Sequence, residues 1–189
     1  MRFLIIGLFL FSSLLFGTAC SISAKQPVLH DFGSPVPVST STSKDGNKPA
    51  IIVDAPTWLW DDRIRYRLLY ASPTRVGFYA LDLWVAPPPE LFEQLLISSG
   101  KTRNYNLTIW LQDFEQQFDA SDRARVMLRF SVEAYSGDDN KKVNTQEFYL
   151  EQATTTPDAS GAVSGFANLT RQAADRVQSW LAGLADKPL

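Results

Sequence analysis

Histidine and cysteine are all but missing from this chain, with one of each in 189 residues. A single cysteine cannot close an internal disulfide. The single histidine, His30, cannot build a histidine-rich zinc site, and with no CxxC anywhere neither a metal nor another cofactor is expected. No glycine-rich phosphate loop and no GxSxG nucleophile turn occur. His30 also has no nearby serine or cysteine with the local support of a nucleophile, so it reads as a solvent-facing residue and no enzyme is expected. The paired carboxylates Asp61-Asp62, Asp138-Asp139 and Glu147/Glu151 fit solvated turns and strand faces better than acid–base work.

An excess of one charge is lacking too. The chain has 18 basic against 20 acidic residues, and no basic stripe points to nucleic acid. Beyond residue 20 no apolar run is long enough to cross a bilayer, which needs about 20 such residues.

What is present begins with residues 1–20: Arg2, the unbroken apolar run 3–10, a second apolar piece, then Gly17-Thr18-Ala19 and Cys20. This is the anatomy of an export signal. Cys20 directly after Ala19 matches bacterial lipoprotein processing, which cuts before the cysteine and lipidates its thiol. Gly17 stands where such signals usually carry leucine. The other reading is an ordinary secretory peptide cut after Ala19 or Ala24, leaving Cys20 incidental. An exported chain with one unpaired thiol favours lipidation, and Ser21 in place of aspartate points to the outer membrane. Residues 1–19 are thus read as a lipoprotein signal. Removing them leaves 189 − 19 = 170 residues, enough for one domain with a sizeable core.

Residues 20–49 read as a lipidated terminus and flexible tether, spaced by Pro27, Pro35, Pro37 and Pro49 around Ser39-Thr40-Ser41-Thr42-Ser43. Such a coil would span roughly 30 Å. Within it Val28-Leu29-His30-Asp31-Phe32-Gly33 is strand-like and is expected to add an edge strand.

From residue 50 to 189 the pattern is that of one domain. Ile51-Ile52-Val53 reads as a buried strand. Residues 63–70 alternate, with Ile64, Tyr66, Leu68 and Tyr70 opposite Arg63, Arg65 and Arg67, and should form a hairpin with residues 75–83. Pro87-Pro88-Pro89 starts a helix whose Leu91, Phe92, Leu95 and Leu96 share one face, and Gly100 ends it. Tyr105, Leu107, Ile109 and Leu111 mark the next strand. Val126, Leu128, Phe130, Val132 and Ala134 mark another, which a turn at Gly137-Asp138-Asp139-Asn140 joins to a partner carrying Phe148 and Leu150. A long amphipathic helix covers about 160–184, through Val163, Phe166, Leu169, Ala173, Val177, Trp180, Leu181 and Leu184. The expected fold is α+β: a two-layer sandwich, its sheet of five to six strands mostly antiparallel or mixed, with two helices on one face. Trp58 and Trp60 lie in a short connection, where they either cap the sheet or anchor a partner.

Several segments carry a resemblance. Val53-Asp54-Ala55-Pro56, Ile64-Arg65-Tyr66-Arg67, Leu83-Trp84-Val85-Ala86-Pro87-Pro88 and the helix of Leu91 and Leu95 are similar to the ABC-type transport auxiliary lipoprotein family. So are Leu111-Gln112-Asp113-Phe114-Glu115-Gln116-Gln117-Phe118 and His30-Asp31-Phe32-Gly33, and the order of these segments extends the resemblance over nearly the whole chain after Cys20. The resemblance implies a non-catalytic accessory subunit of a lipid-transport system, anchored to the periplasmic face of the outer membrane through Cys20. Its implied partners are an MCE-domain protein, ABC permease components, or further copies of itself in a homo-oligomer. Trp58, Trp60 and Trp84 are the candidate partner-binding residues. The competing reading is a module that captures a small hydrophobic ligand with Trp58, Trp60, Phe78, Tyr79 and Trp84. One departure stands out: relatives have a further strand after the first helix, where this chain has only residues 98–104.

Overall fold

The computed structural model describes residues 25–33, 50–100 and 105–185. Cys20, the expected export signal, most of the expected tether and most of the 98–104 connection lie outside the described residues.

The described chain forms seven strands and two α-helices. In order these are β1 (Val28–His30), β2 (Ile51–Asp54), β3 (Arg63–Leu68), β4 (Val76–Trp84), α1 (Pro88–Ser99), β5 (Tyr105–Ala120), β6 (Arg123–Ser136), β7 (Lys142–Ala153) and α2 (Ala159–Ala185), with a single 3-10 turn at Thr57–Leu59 between β2 and β3. The strands make one mixed sheet ordered β1-β4-β3-β5-β6-β7, with β2 also paired to β5. The expected α+β class holds, with seven strands rather than five to six. The edge strand expected at Val28 is β1, parallel to β4. It places His30 in the sheet rather than in solvent: the ring Nε2 lies 2.9 Å from Asp82 Oδ1, and the side chain is largely covered.

Strands β5, β6 and β7 form a long antiparallel meander whose register shifts at three places, near the strand ends at Phe118/Ala120 and Ala134/Tyr135 and once in the middle of β5. The β5–β6 register shifts between Leu111 and Asp113, a β-bulge at Gln112. Before it Leu107, Ile109 and Leu111 point to the helices; after it Phe114, Gln116 and Phe118 do. One extra residue therefore turns Asp113 and Glu115 to the opposite face, where strict alternation would have buried them.

Both helices cover that inner face. α1 opens at Pro88 and closes at Gly100, which takes the left-handed conformation (φ 65°) that a residue without Cβ adopts freely. From α1, the Glu93 carboxylate accepts the Val53 N–H at 2.9 Å, tying β2 to the helix. Asp158 caps α2 from just before its first residue, its Oδ1 accepting the Gly161 N–H at 2.9 Å. α2 approaches the sheet closely at Gly165, where a Cβ would lie 2.9 Å from Val126 Cγ2.

The core between the layers is aromatic. Phe114 stacks on Phe166 with ring centroids 3.9 Å apart, and Phe130 on Phe148 at 5.0 Å. Trp84 meets Phe32, Phe114 and Phe166 edge-on. Gln116, the one fully buried side-chain amide among the described residues, is satisfied: it accepts from the Tyr79 hydroxyl at 2.6 Å and donates to the Asp158 carbonyl at 3.3 Å. Burial pushes the Tyr79 phenol far above its ordinary pKa, so it stays a donor.

Two strand readings need correction. Ile51-Ile52-Val53 is buried on one side only: Ile51 and Val53 face in, while Ile52 is 57% exposed. Tyr70 falls beyond the end of β3 in the turn and is exposed, although Ile64 and Tyr66 face in as expected. Tyr66 lies across Gly77 of β4, whose missing side chain makes room for the ring: a Cβ there would sit 2.4 Å from Tyr66 Cζ.

Candidate functional site

The site grows out of an interruption in sheet pairing. β2 and β3 both run parallel to β5 along the same edge. β2 ends at Asp54, opposite Trp110, and β3 joins at Tyr66, opposite Gln116. Between those pairs the 51–68 segment advances 66 − 54 = 12 residues, while β5 advances 116 − 110 = 6. The surplus loops out as the 3-10 turn and its flanks. Leu59 of this turn is driven into the core, leaving Trp58 outside and 59% exposed. Residues 111–115 of β5, which include the bulge, consequently have no strand neighbour on this edge.

A cleft of about 290 Å³ opens there, on the face of the sheet away from the helices. Trp58 and Leu59 line it from the 3-10 turn, Arg65 and Arg67 from β3, and residues 112–115 from β5. The three arginines of β3 project to this outer face because alternation places them opposite Ile64 and Tyr66. Their engagements differ. Arg67 grips Glu115 with two hydrogen bonds, Nε to Oε1 at 2.9 Å and Nη2 to Oε2 at 3.1 Å, and Glu115 is only 6% exposed. This fork-to-fork pair raises the Arg67 pKa above its ordinary value. Asp113 is held by Arg129 of β6, Nε to Oδ2 at 2.8 Å. Arg63 is held by Asp61, with Nε 2.8 Å from Oδ2, and its guanidinium stacks 3.8 Å from the centre of the Phe78 ring. The Arg63 hydrogen bond keeps the Asp61 carboxyl below the usual carboxylate range.

Arg65 has a different environment. Its Nη1 donates to the Trp58 carbonyl at 2.7 Å, and among the described residues no carboxylate comes within ion-pairing distance of it. Burial lowers its pKa despite the field of Glu115. Trp58 is thus fixed from behind through its own carbonyl while its indole faces outward.

The expected site residues separate. Trp58 stands exposed beside the cleft. Trp60 is 41% exposed but structurally engaged, its Nε1–H donating to the Ala55 carbonyl at 3.1 Å. Trp60 is thus tied back to its own connection, whereas Trp58 is the more exposed of the two. Trp84 is 1% exposed in the aromatic core and cannot reach a partner: as the last residue of β4 it faces α2, and the apolar surface it removes from water is worth more buried. The proposed hydrophobic set is likewise dispersed, since Tyr79 is bound to Gln116 and Trp84 is enclosed. Cys20 lies outside the described residues. The sequence reading missed Arg65, Arg67 and Glu115. Three arginines on one face of one strand were the available signal, and a parallel pairing with β5 is what a local pattern cannot reveal.

These elements define the class: a two-layer α+β protein with one face of its mixed sheet covered by helices and the other open. No family model matches the chain, and no curated protein matches it. Solved structures do share its fold. A Xanthomonas campestris protein described under the family DUF330 aligns at TM-score 0.64 and 14% identity, covering 86% of this chain and 90% of that one. An uncharacterized protein aligns at TM-score 0.64 and 12% identity, covering 82% of this chain and 99% of that one. A lipoprotein of Neisseria meningitidis, GNA1162, aligns at TM-score 0.27 and 8% identity, over 71% of this chain and 99% of that one, too low for a shared fold.

Proposed function

We propose that this protein is a non-catalytic accessory lipoprotein of an ABC- or MCE-type lipid-transport system, of the PqiC type. Cys20 anchors it to the periplasmic face of the outer membrane, and the domain docks on a periplasm-spanning partner. The observation that supports this reading is the fold shared across most of both chains with a protein described under DUF330. The export signal ending in Cys20 and the segment resemblances point the same way. Stable anchoring requires more than one acyl chain, and a mature lipoprotein terminus supplies it.

The test is fractionation and transport with a Cys20→Ala variant. The reading expects loss from the outer-membrane fraction and loss of lipid transport; retention of both overturns it. Cross-linking of the native lipoprotein in intact cells should recover an MCE-domain protein or permease component, and recovery of neither would remove the transport role while leaving the anchor.

A further inference from the structure

We propose that the cleft between Trp58 and Arg65 is a protein-docking site that receives an acidic side chain of a partner, flanked in the partner by apolar residues. The inference goes beyond the accessory role by naming the surface and its chemistry. It rests on that role only in supposing a protein partner.

Charge complementarity carries it. Of the four charged residues lining the cleft, Glu115 is taken by Arg67 and Asp113 by Arg129. Asp61 is taken by Arg63, and Asp62, at the start of the strand, acts on Arg63 as well. Arg65 remains as one cation with no carboxylate within ion-pairing distance among the described residues, Glu115 and Asp61 acting on it only at longer range. Its Nη1 is committed to the Trp58 carbonyl, which orients the guanidinium and leaves further N–H donors for a ligand. A planar fork of donors carrying one charge matches one carboxylate. It lies half-enclosed, where a charge-assisted hydrogen bond is worth more than in open water.

The surroundings favour a protein as the source of that carboxylate. Trp58 stands beside the cleft at 59% exposure, and Trp110 and Ile52, at 42% and 57%, face outward on adjoining strands. An arginine beside an exposed tryptophan is the composition of an interface hot spot. The edge of β5 at residues 111–115, without a strand neighbour, adds backbone groups that an extended segment can meet.

The experiment records the Trp58 indole N–H and Arg65 Nε–H resonances of the full chain in detergent, identified by loss in Trp58→Phe and Arg65→Lys. The probes are acetyl-Leu-Asp-Leu-amide, its Asn analogue, inorganic phosphate, and phosphatidylglycerol vesicles. The Asp peptide should shift both resonances, with the Asn peptide binding roughly tenfold more weakly or worse, as expected for loss of a charge-assisted contact. Arg65→Gln should abolish the Asp preference and Arg65→Lys should keep it, read from the Trp58 resonance. If Arg65→Gln does not fold, the Asp–Asn difference in the unaltered protein decides alone. Equal binding of the two peptides overturns the proposal. So does a response to phosphate or to vesicles without one to the Asp peptide, which would assign the cleft to a phosphate group or a membrane. Failure of the Cys20 experiment would leave the peptide result untouched.

Discussion

The two faces of β5 are built from the same 16 residues and behave as different materials. Inward, Leu107, Ile109, Leu111, Phe114 and Phe118 are almost wholly enclosed against the helices. Outward, Trp110 is exposed, and Asp113 and Glu115 are balanced by arginines from two neighbouring strands. The inner face gains free energy by removing apolar surface from water, a non-directional effect that tolerates no void. The outer face gains little from its exposed pair Asp113–Arg129, because exposed charges exchange one set of good partners for another. The inner set therefore holds the two layers together, while the outer set contributes little to that.

Substitutions on the two faces should therefore differ in cost. Phe166→Ala removes the ring stacked on Phe114 and leaves a cavity beside Trp84. It should cost about 3–5 kcal/mol in a urea or guanidinium titration; a loss below about 1 kcal/mol would mean that the aromatic cluster does not hold the layers together.

Gly161→Ala comes next, because its Cβ would lie 1.9 Å from the Thr156 carbonyl oxygen, a backbone atom that cannot swing aside. A loss of about 1–3 kcal/mol is expected, against the gain that Gly→Ala gives in an unstrained helix.

Glu115→Ala tests whether any part of the outer face behaves like a core. It strands the partly covered Arg67 guanidinium, so we expect about 1–2 kcal/mol, more than a surface pair and less than a fully buried one. Arg129→Ala, which breaks the exposed pair with Asp113, should by contrast cost under about 1 kcal/mol. If the two variants lose the same amount, the outer face is uniform and the cleft is not distinct from its surroundings.

Asp158→Ala removes the N-cap of α2 and should cost about 1 kcal/mol. The same residue gives a pH signature. The Gly161 N–H and the Thr156 hydroxyl hold the Asp158 carboxyl below its ordinary pKa of 3.8. A carboxylate depressed in the folded state contributes its stability fully above the unfolded value and loses it as pH falls through the folded one. The difference in unfolding free energy between wild type and Asp158→Ala should therefore be constant near neutral pH and shrink below about pH 4. A difference that grows on acidification would contradict the cap.

Much of the fold was legible because burial and periodicity report on each other. The stripe Phe166, Leu169, Ala173, Val177, Leu181 predicts α2 and its buried face, and the structure buries each of them. The alternation 126–134 predicts β6 in the same way. Legibility stopped where alternation is broken by one residue: the bulge at Gln112 lies in no turn and carries no glycine, yet it reassigns Asp113, Phe114 and Glu115 between faces. Trp84 was misjudged for a related reason. An aromatic at a strand end before a proline run is equally compatible with a wet or a dry position, and α2, 82 residues further on at Phe166, settles which.

Features that depend on neighbours along the chain can be read from residue order: the two helical stripes, the hairpins, and Gly100 as a helix end. What only tertiary structure decided is whatever depends on strands that are distant in sequence lying side by side. β2 and β3 share one edge of β5 without filling it, and the unfilled part brings Trp58, Arg65, Arg67 and Glu115 together from segments about 50 residues apart. Periodicity reports which side of its own strand a residue occupies. The neighbour it will have there depends on register, and register is set by the packing of the whole sheet.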